Sequence, residues 1–167
     1  PRTSSAASDV YKRQALMYKK KFSKDRFKIF HPGGNIGQTL MLVKDIMITG
    51  KKLPTININR SIAEAIKVIN LKKLGLVVIL AKNSIKGIVT DGDARSGIKF
   101  YSKDEKISKF MSSKPMTVEE NISASKALAI MNEKKITSLL VVSSNKSMSK
   151  KLKGIVHIHS LLKYGVK

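Results

Sequence analysis

Ile85 to Arg95 reads IKGIVTDGDAR, and Leu152 to Leu162 reads LKGIVHIHSLL, so Lys-Gly-Ile-Val returns after 67 positions. Upstream of each copy the same parts follow in the same order: a short Met-ended segment, a proline, an apolar-periodic helix and an apolar strand. The first set is VKDIM (Val43 to Met47), Pro54, Ile62 to Leu74 and Leu76 to Leu80. The second is ISKFM (Ile107 to Met111), Pro115, Ala124 to Met131 and Leu139 to Val142. A unit of this length present twice implies two like modules paired face to face. A solenoid would need three or more units.

Each module reads as strand, helix, strand, strand, helix. In the first, Thr55 to Ile58 is a short strand. Ser61 caps a helix, with Glu64 three residues on completing a capping box. Ile62, Ala65, Ile66, Ile69 and Leu74 form its apolar stripe, and Gly75 is expected to stop it. Leu76 to Ala81 and Ile85 to Thr90 are strands joined by a turn at Lys82-Asn83-Ser84, after which Asp91 is expected to cap a second helix. In the second module, Met116 to Val118, Ser138 to Ser143 and Leu152 to His157 are strands. Ser123 caps the helix Ala124 to Lys134, whose Ala127, Leu128 and Met131 face inward. Ile158 to Tyr164 closes as a helix. Tyr101 to Lys106 links the modules, and Ser144 to Lys151 is a polar, cationic loop. Pro1 to Gln14 is small, polar and without period, so it is expected to be disordered or foreign to the protein. Met41, Met47, Met111, Met116 and Met131 are expected to fill the core.

The chain of 167 residues fits one compact domain or two small ones, and 42% apolar residues suffice for a core. The absence of cysteine excludes a disulfide framework and thiolate metal sites, and suits a reducing cytoplasm. No apolar run approaches the roughly 18 to 20 residues of a membrane span, and the N-terminus lacks the apolar core of a signal peptide. The net charge is +22, with lysine supplying 28 of 33 positive charges. Such a charge attracts phosphate backbones. The lysines are nevertheless scattered and the aromatics few, whereas base stacking uses interleaved rings or Arg planes. The charge therefore reads as a lysine-biased surface more than as a nucleic-acid site.

Thr90-Asp91-Gly92-Asp93 sits where a strand hands over to a helix. Free backbone N–H groups and the positive end of the dipole suit a phosphate there. The Thr90 hydroxyl adds a hydrogen bond, and the Asp93 carboxylate can accept from two vicinal hydroxyls such as those of a ribose. The plainer alternative is that Asp91 and Asp93 only cap the helix. Arg95 either reaches a phosphate or carboxylate or is a surface cation. Thr55 and Thr137 precede or start strands that would line the clefts between modules. His157 and His159 alternate on a strand; they are structural, contact an acidic ligand, or form a metal pair without a third ligand.

The repeat, with Gly-Ile-Val-Thr-Asp-Gly-Asp in one copy and Gly-Ile-Val-His-Ile-His in the other, resembles a tandem pair of CBS domains. HPGGNIGQTLMLVKDIM (His31 to Met47), IVTDGDAR (Ile88 to Arg95) and GIVHIHSLLKYGV (Gly154 to Val166) resemble the C-terminal part of arabinose 5-phosphate isomerases. These are sugar-phosphate isomerases of the pathway that makes Kdo for lipopolysaccharide. The resemblance implies an α/β (α+β) fold, two βαββα modules about a pseudo-twofold axis. It divides the chain into a disordered or non-native segment (1–26), a remnant of a sugar isomerase (SIS) domain (27–42), and CBS domains at 43–101 and 107–166. His31 matches an active-site histidine of the isomerase. Without the rest of that domain the fragment is expected to be inactive, because the reaction needs a base, ring-opening help and a phosphate pocket.

The resemblance also implies that Thr90 and Asp93 hold the phosphate and ribose of an anionic nucleotide or nucleotide sugar, CMP-Kdo being a candidate. The second copy departs, with His157 at the Thr position and Ser160 at the Asp position. The expected role is regulatory and cytoplasmic, with a homo-oligomer through the module helices, no cofactor, no metal and no membrane contact. Two alternatives stay open: the isomerase itself as a truncated gene product, and a basic nucleic-acid binder.

Overall fold

Two three-stranded sheets, each with helices on one face, pack through their other faces. The computed structural model describes residues 41–100, 102, 104–143 and 151–166. His31, the segments 1–26 and 27–40, and all of the polar loop after Ser143 except Lys151 lie outside the described residues.

A single helical turn, α1 (Val43–Ile46), and a 3₁₀ turn at Gly50–Lys52 lead in. β1 (Thr55–Asn57) then pairs in parallel with β2 (Leu76–Ala81) across the helix α2 (Ile62–Lys72). α2 starts at Ser61 because the capping box closes: the Glu64 N–H donates to Ser61 Oγ at 3.4 Å, and Ser61 N–H to Glu64 Oε2 at 3.0 Å. It ends two residues earlier than the glycine suggests. Lys73 takes the left-handed backbone (φ 55°) and donates to Ile69 O, so Lys73 rather than Gly75 is the stop. β3 (Ser84–Thr90) folds back antiparallel on β2. The reversal needs only Lys82 and Asn83, both at positive φ (49° and 60°), as a two-residue hairpin demands; Ser84 already belongs to β3. α3 (Asp91–Phe100) follows directly.

The second module repeats the plan with β4 (Thr117–Glu119), α4 (Ala124–Lys134), β5 (Ser138–Val142), β6 (Leu152–His157) and α5 (Ile158–Lys163). Its sheet order is β4-β5-β6, matching β1-β2-β3. Ser123 caps α4 by accepting from Lys126 N–H at 3.2 Å, and Lys135 ends it at φ 52°, the counterpart of Lys73.

On each central strand the alternating side chains divide two jobs. Val77 and Ile79 join α2 in one core, and Leu139 and Val141 join α4 in another. Leu76, Val78, Leu140 and Ile155 form a third cluster where the two sheets meet. Burying each of these side chains contributes about 1.5–3 kcal/mol, so the pairing of modules is a core in its own right. Met41 and Met131 are buried as expected. Met116, expected in the core, is 41% exposed instead, because it stands just before β4 on the rim of the space between modules.

The segments preceding each module are exchanged. Val43 N–H donates to Ile122 O, Ala124 N–H to Met41 O, and Ile48 and Ile155 exchange two bonds of 2.8 and 3.0 Å. Met41, Val43 and Ile46 thus lie in the core of the second module although they lead into the first. The mirror event places Ile107 in the core of the first module, where Ile62 N–H donates to Glu105 O and Ile88 exchanges bonds of 2.8 and 3.0 Å with Ser112. This explains the glycine of the repeated Lys-Gly-Ile-Val. A Cβ at Gly87 would stand 2.5 Å from Ser112 O, and one at Gly154 2.9 Å from Ile48 O.

Candidate functional site

A cleft of about 390 Å³ opens between the modules, and both contribute to it. Leu76, Ile88 and Leu140 make an apolar floor. One wall is the segment from Ser112 to Met116 that docks on β3. The opposite wall runs from Lys135 to Ser138, the turn from α4 into β5. Thr90 closes the end where β3 meets α3. Among the described residues Lys114 and Lys135 are the charged ones of the lining, and none of the lining residues is a carboxylate.

Thr90 and Asp93 form a closed box. Thr90 N–H and Thr90 Oγ1–H both donate to Asp93 Oδ2, at 2.9 and 2.8 Å, and Asp93 N–H donates to Thr90 Oγ1 at 3.2 Å. The cap of α3 is therefore Thr90, and the expectation that Asp91 caps it is corrected. Asp91 is the first helical residue; its N–H donates to Gly75 O at 2.9 Å, and its carboxylate pairs with Arg95 one turn on. That hydrogen bond, then the Coulomb attraction of Asp91, raises the Arg95 pKa. Arg95 is well exposed and stands outside the cleft lining.

Of the remaining sequence candidates, Thr137 is on the cleft wall and its carbonyl accepts from Ile158 N–H at 2.8 Å. Thr55 pairs with Val78 on β1 and is half-buried away from the lining. His157 is the register counterpart of Thr90, since Ser138 pairs with His157 as Leu76 pairs with Thr90. It caps α5 with its ring: Nδ1 accepts from His159 N–H at 3.2 Å. The two imidazoles meet edge to face with centroids 4.8 Å apart. Burial, and then the electrostatic influence of the neighbouring His159 ring, lowers the His157 pKa below its usual 6.5. Among the described residues no group of three or more His, Cys, Asp or Glu is placed to hold a metal ion, and no helix is long and apolar enough to cross a membrane.

The sequence reading missed Lys114, Met116, Lys135 and Ser138. Thr137-Ser138 stands where Gly75-Leu76 stands in the other copy, and Lys135 where Lys73 does.

Comparison with known proteins agrees with this geometry. The family model for the CBS domain matches residues 43–99 and 107–167. An uncharacterised protein of Rickettsia prowazekii is 38% identical over 146 residues, covering 87% of this chain and 44% of its own length. The arabinose 5-phosphate isomerase KdsD of Yersinia pestis is 39% identical over 158 residues, covering 91% and 46%. The chain thus spans somewhat under half the length of these curated relatives. Two solved structures share the fold. CBSX2 in complex with AMP superposes with a TM-score of 0.63 at 21% identity, over 75% of this chain and 96% of that one. The CBS domain pair of MJ0100, with 5′-methylthioadenosine and S-adenosyl-L-methionine, gives 0.63 at 23% identity over 74% and 94%.

Proposed function

Since the chain belongs to the CBS domain family and carries two copies in tandem, we propose that it is a regulatory module that binds an anionic nucleotide or nucleotide sugar between its halves. The observation that carries this is the cleft: apolar below, edged by hydroxyls of both modules and, among the described residues, bearing two lysines and no acid. An apolar floor suits a base, and the cationic rim suits a phosphate. The AMP and S-adenosyl-L-methionine complexes of the structural neighbours support the ligand class. Thr90 closes one end of the cleft, whereas the Asp93 carboxylate stands outside the lining and is taken up by Thr90, so a ligand whose ribose hydroxyls it accepts must open the Thr90–Asp93 box.

The similarity to KdsD supports attachment to an arabinose 5-phosphate isomerase, with its sugar isomerase domain as the controlled partner. A nucleotide sugar made downstream, such as CMP-Kdo, then acts as the feedback signal by favouring one arrangement of the pair. The reading places it in the cytoplasm with its catalytic domain.

Calorimetry and thermal shift with AMP, CMP and CMP-sugars test the proposal. A ligand specific to the native state stabilises it by about 2.7 kcal/mol at a hundredfold excess over Kd. Asp93→Asn keeps an acceptor for the helix cap and removes the ribose-binding charge, so it should weaken the bound nucleotide by at least about 1 kcal/mol. Silence across the whole panel would end the proposal. Binding of oligonucleotides that survives physiological salt would favour the nucleic-acid reading instead, which the net charge of +22 keeps in view.

A further inference from the structure

We infer that the pair takes one nucleotide-class ligand per chain, because the counterpart of the cleft, ending at His157 as the first ends at Thr90, is plugged by the chain's own Leu53. This rests on the nucleotide-binding reading above and sets how many ligands that reading allows.

The repeat gives each floor residue of the first cleft a counterpart. Register matches Leu76 with Ser138, Ile88 with Ile155 and Leu140 with Val78. The lead-ins correspond as well: Ile48 bonds Ile155 as Ser112 bonds Ile88, and Thr55 pairs with Val78 as Thr117 pairs with Leu140. Six residues separate Ile48 from Thr55 and four separate Ser112 from Thr117, so the first lead-in is two residues longer. The surplus is wound into the 3₁₀ turn Gly50–Lys52. Gly50 takes φ 61°, a backbone that a side chain would strain. Leu53 N–H closes the turn on Gly50 O at 3.1 Å, and Lys72 Nζ donates to Lys51 O, tying the turn to the end of α2. The turn delivers Leu53 onto the seam between the sheets, where it packs against the cluster of Leu76, Val78, Leu140 and Ile155. Exposure differs accordingly. Ile88, on the floor of the first cleft, is only partly buried, whereas its counterpart Ile155 is 0% exposed. On the rims, Met116 is 41% exposed and its counterpart Pro54 is buried. Ser138 Oγ, at the place of Leu76, is likewise shut off from solvent and has no hydrogen-bond partner among the described residues. A side chain packed at interior density leaves no room for a base. The junction beyond offers Ser160 where the first has Asp93, and its His157 Nδ1 is taken by His159 N–H. The ligand therefore enters on one side of the pair and bears on the second lead-in, Ser112 to Met116, while the first stays locked by its own leucine.

The chain has no cysteine, so a single introduced thiol reads access to either floor. Ile88→Cys, Ile155→Cys and Val141→Cys are each treated with the thiol reagent DTNB under native conditions. Ile88→Cys should react at least about tenfold faster than Ile155→Cys, because a thiol buried in apolar surroundings is inert. Adding Leu53→Ala should speed Ile155→Cys by about tenfold or more. It should leave Val141→Cys, in the core on the other face of β5, within about twofold, which separates an opened cleft from a loosened fold. Equal rates at Ile88 and Ile155 overturn the plug. So does a Leu53→Ala effect that is missing at Ile155 or as large at Val141. Calorimetry with AMP and with CMP on the wild type should give one site per chain, and two sites overturn the inference. Binding of neither nucleotide overturns the functional reading itself, while the thiol rates still decide the plug.

Discussion

Two glycines show how single residues set this architecture. Gly87 and Gly154 lie at equivalent places on β3 and β6, and each is overlain by the segment that leads into the other module. A methyl group at either would meet a backbone carbonyl, which cannot swing aside as a side-chain tip can. Gly87→Ala and Gly154→Ala should each destabilise the protein by about 1–3 kcal/mol, the usual cost of overpacking, as read by urea melts. A melt unchanged in midpoint would show that the lead-in segments rest loosely on the sheets. The sequence displays these glycines as part of a repeat but does not disclose their reason, because the atoms that crowd them lie about 25 to 106 residues away.

Among the elements, the strand-to-helix junctions diverge most between the halves. β3 passes to α3 through a Thr–Asp box, and β6 passes to α5 through an imidazole. Only an unprotonated Nδ1 accepts from His159 N–H. The His157 pKa is lowered in the folded chain, so the unfolded chain binds the proton more readily. The resulting stability is complete above the ordinary value of 6.5 and is lost as pH falls from there through the lowered value. Thermal melts between pH 7.5 and 5 should therefore show a loss that His157→Asn largely removes; an identical pH profile in the variant would refute the cap.

The helices and the paired long strands were legible from the sequence, because Ser61, Ser123 and the apolar periods announce them. Thr90 and Thr137 were legible as members of the junctions that end at the cleft. Lys114, Lys135 and Ser138 were not. A lysine among 28 carries no mark of its own, and an unsatisfied hydroxyl becomes visible only once its neighbours are known.

At the scale of the whole molecule, neither half owns a complete structure. Without the other, each loses a strip of backbone along β3 or β6, core side chains and its share of the sheet-to-sheet cluster. Residues 41–100 or 104–166 produced alone should show no cooperative melt by circular dichroism, and mixing them should restore one. A lone half that melts as sharply as the intact chain would mean that the exchange is incidental. The crossing of the two lead-ins has a mechanical corollary. A pull applied at Met41 is delivered to the strand ending in His157 and to the start of α4, in the remoter half. The nearer half feels it only once that lead-in has come away, through the chain that runs on into β1, so the order in which the halves yield is the reverse of their order along the chain.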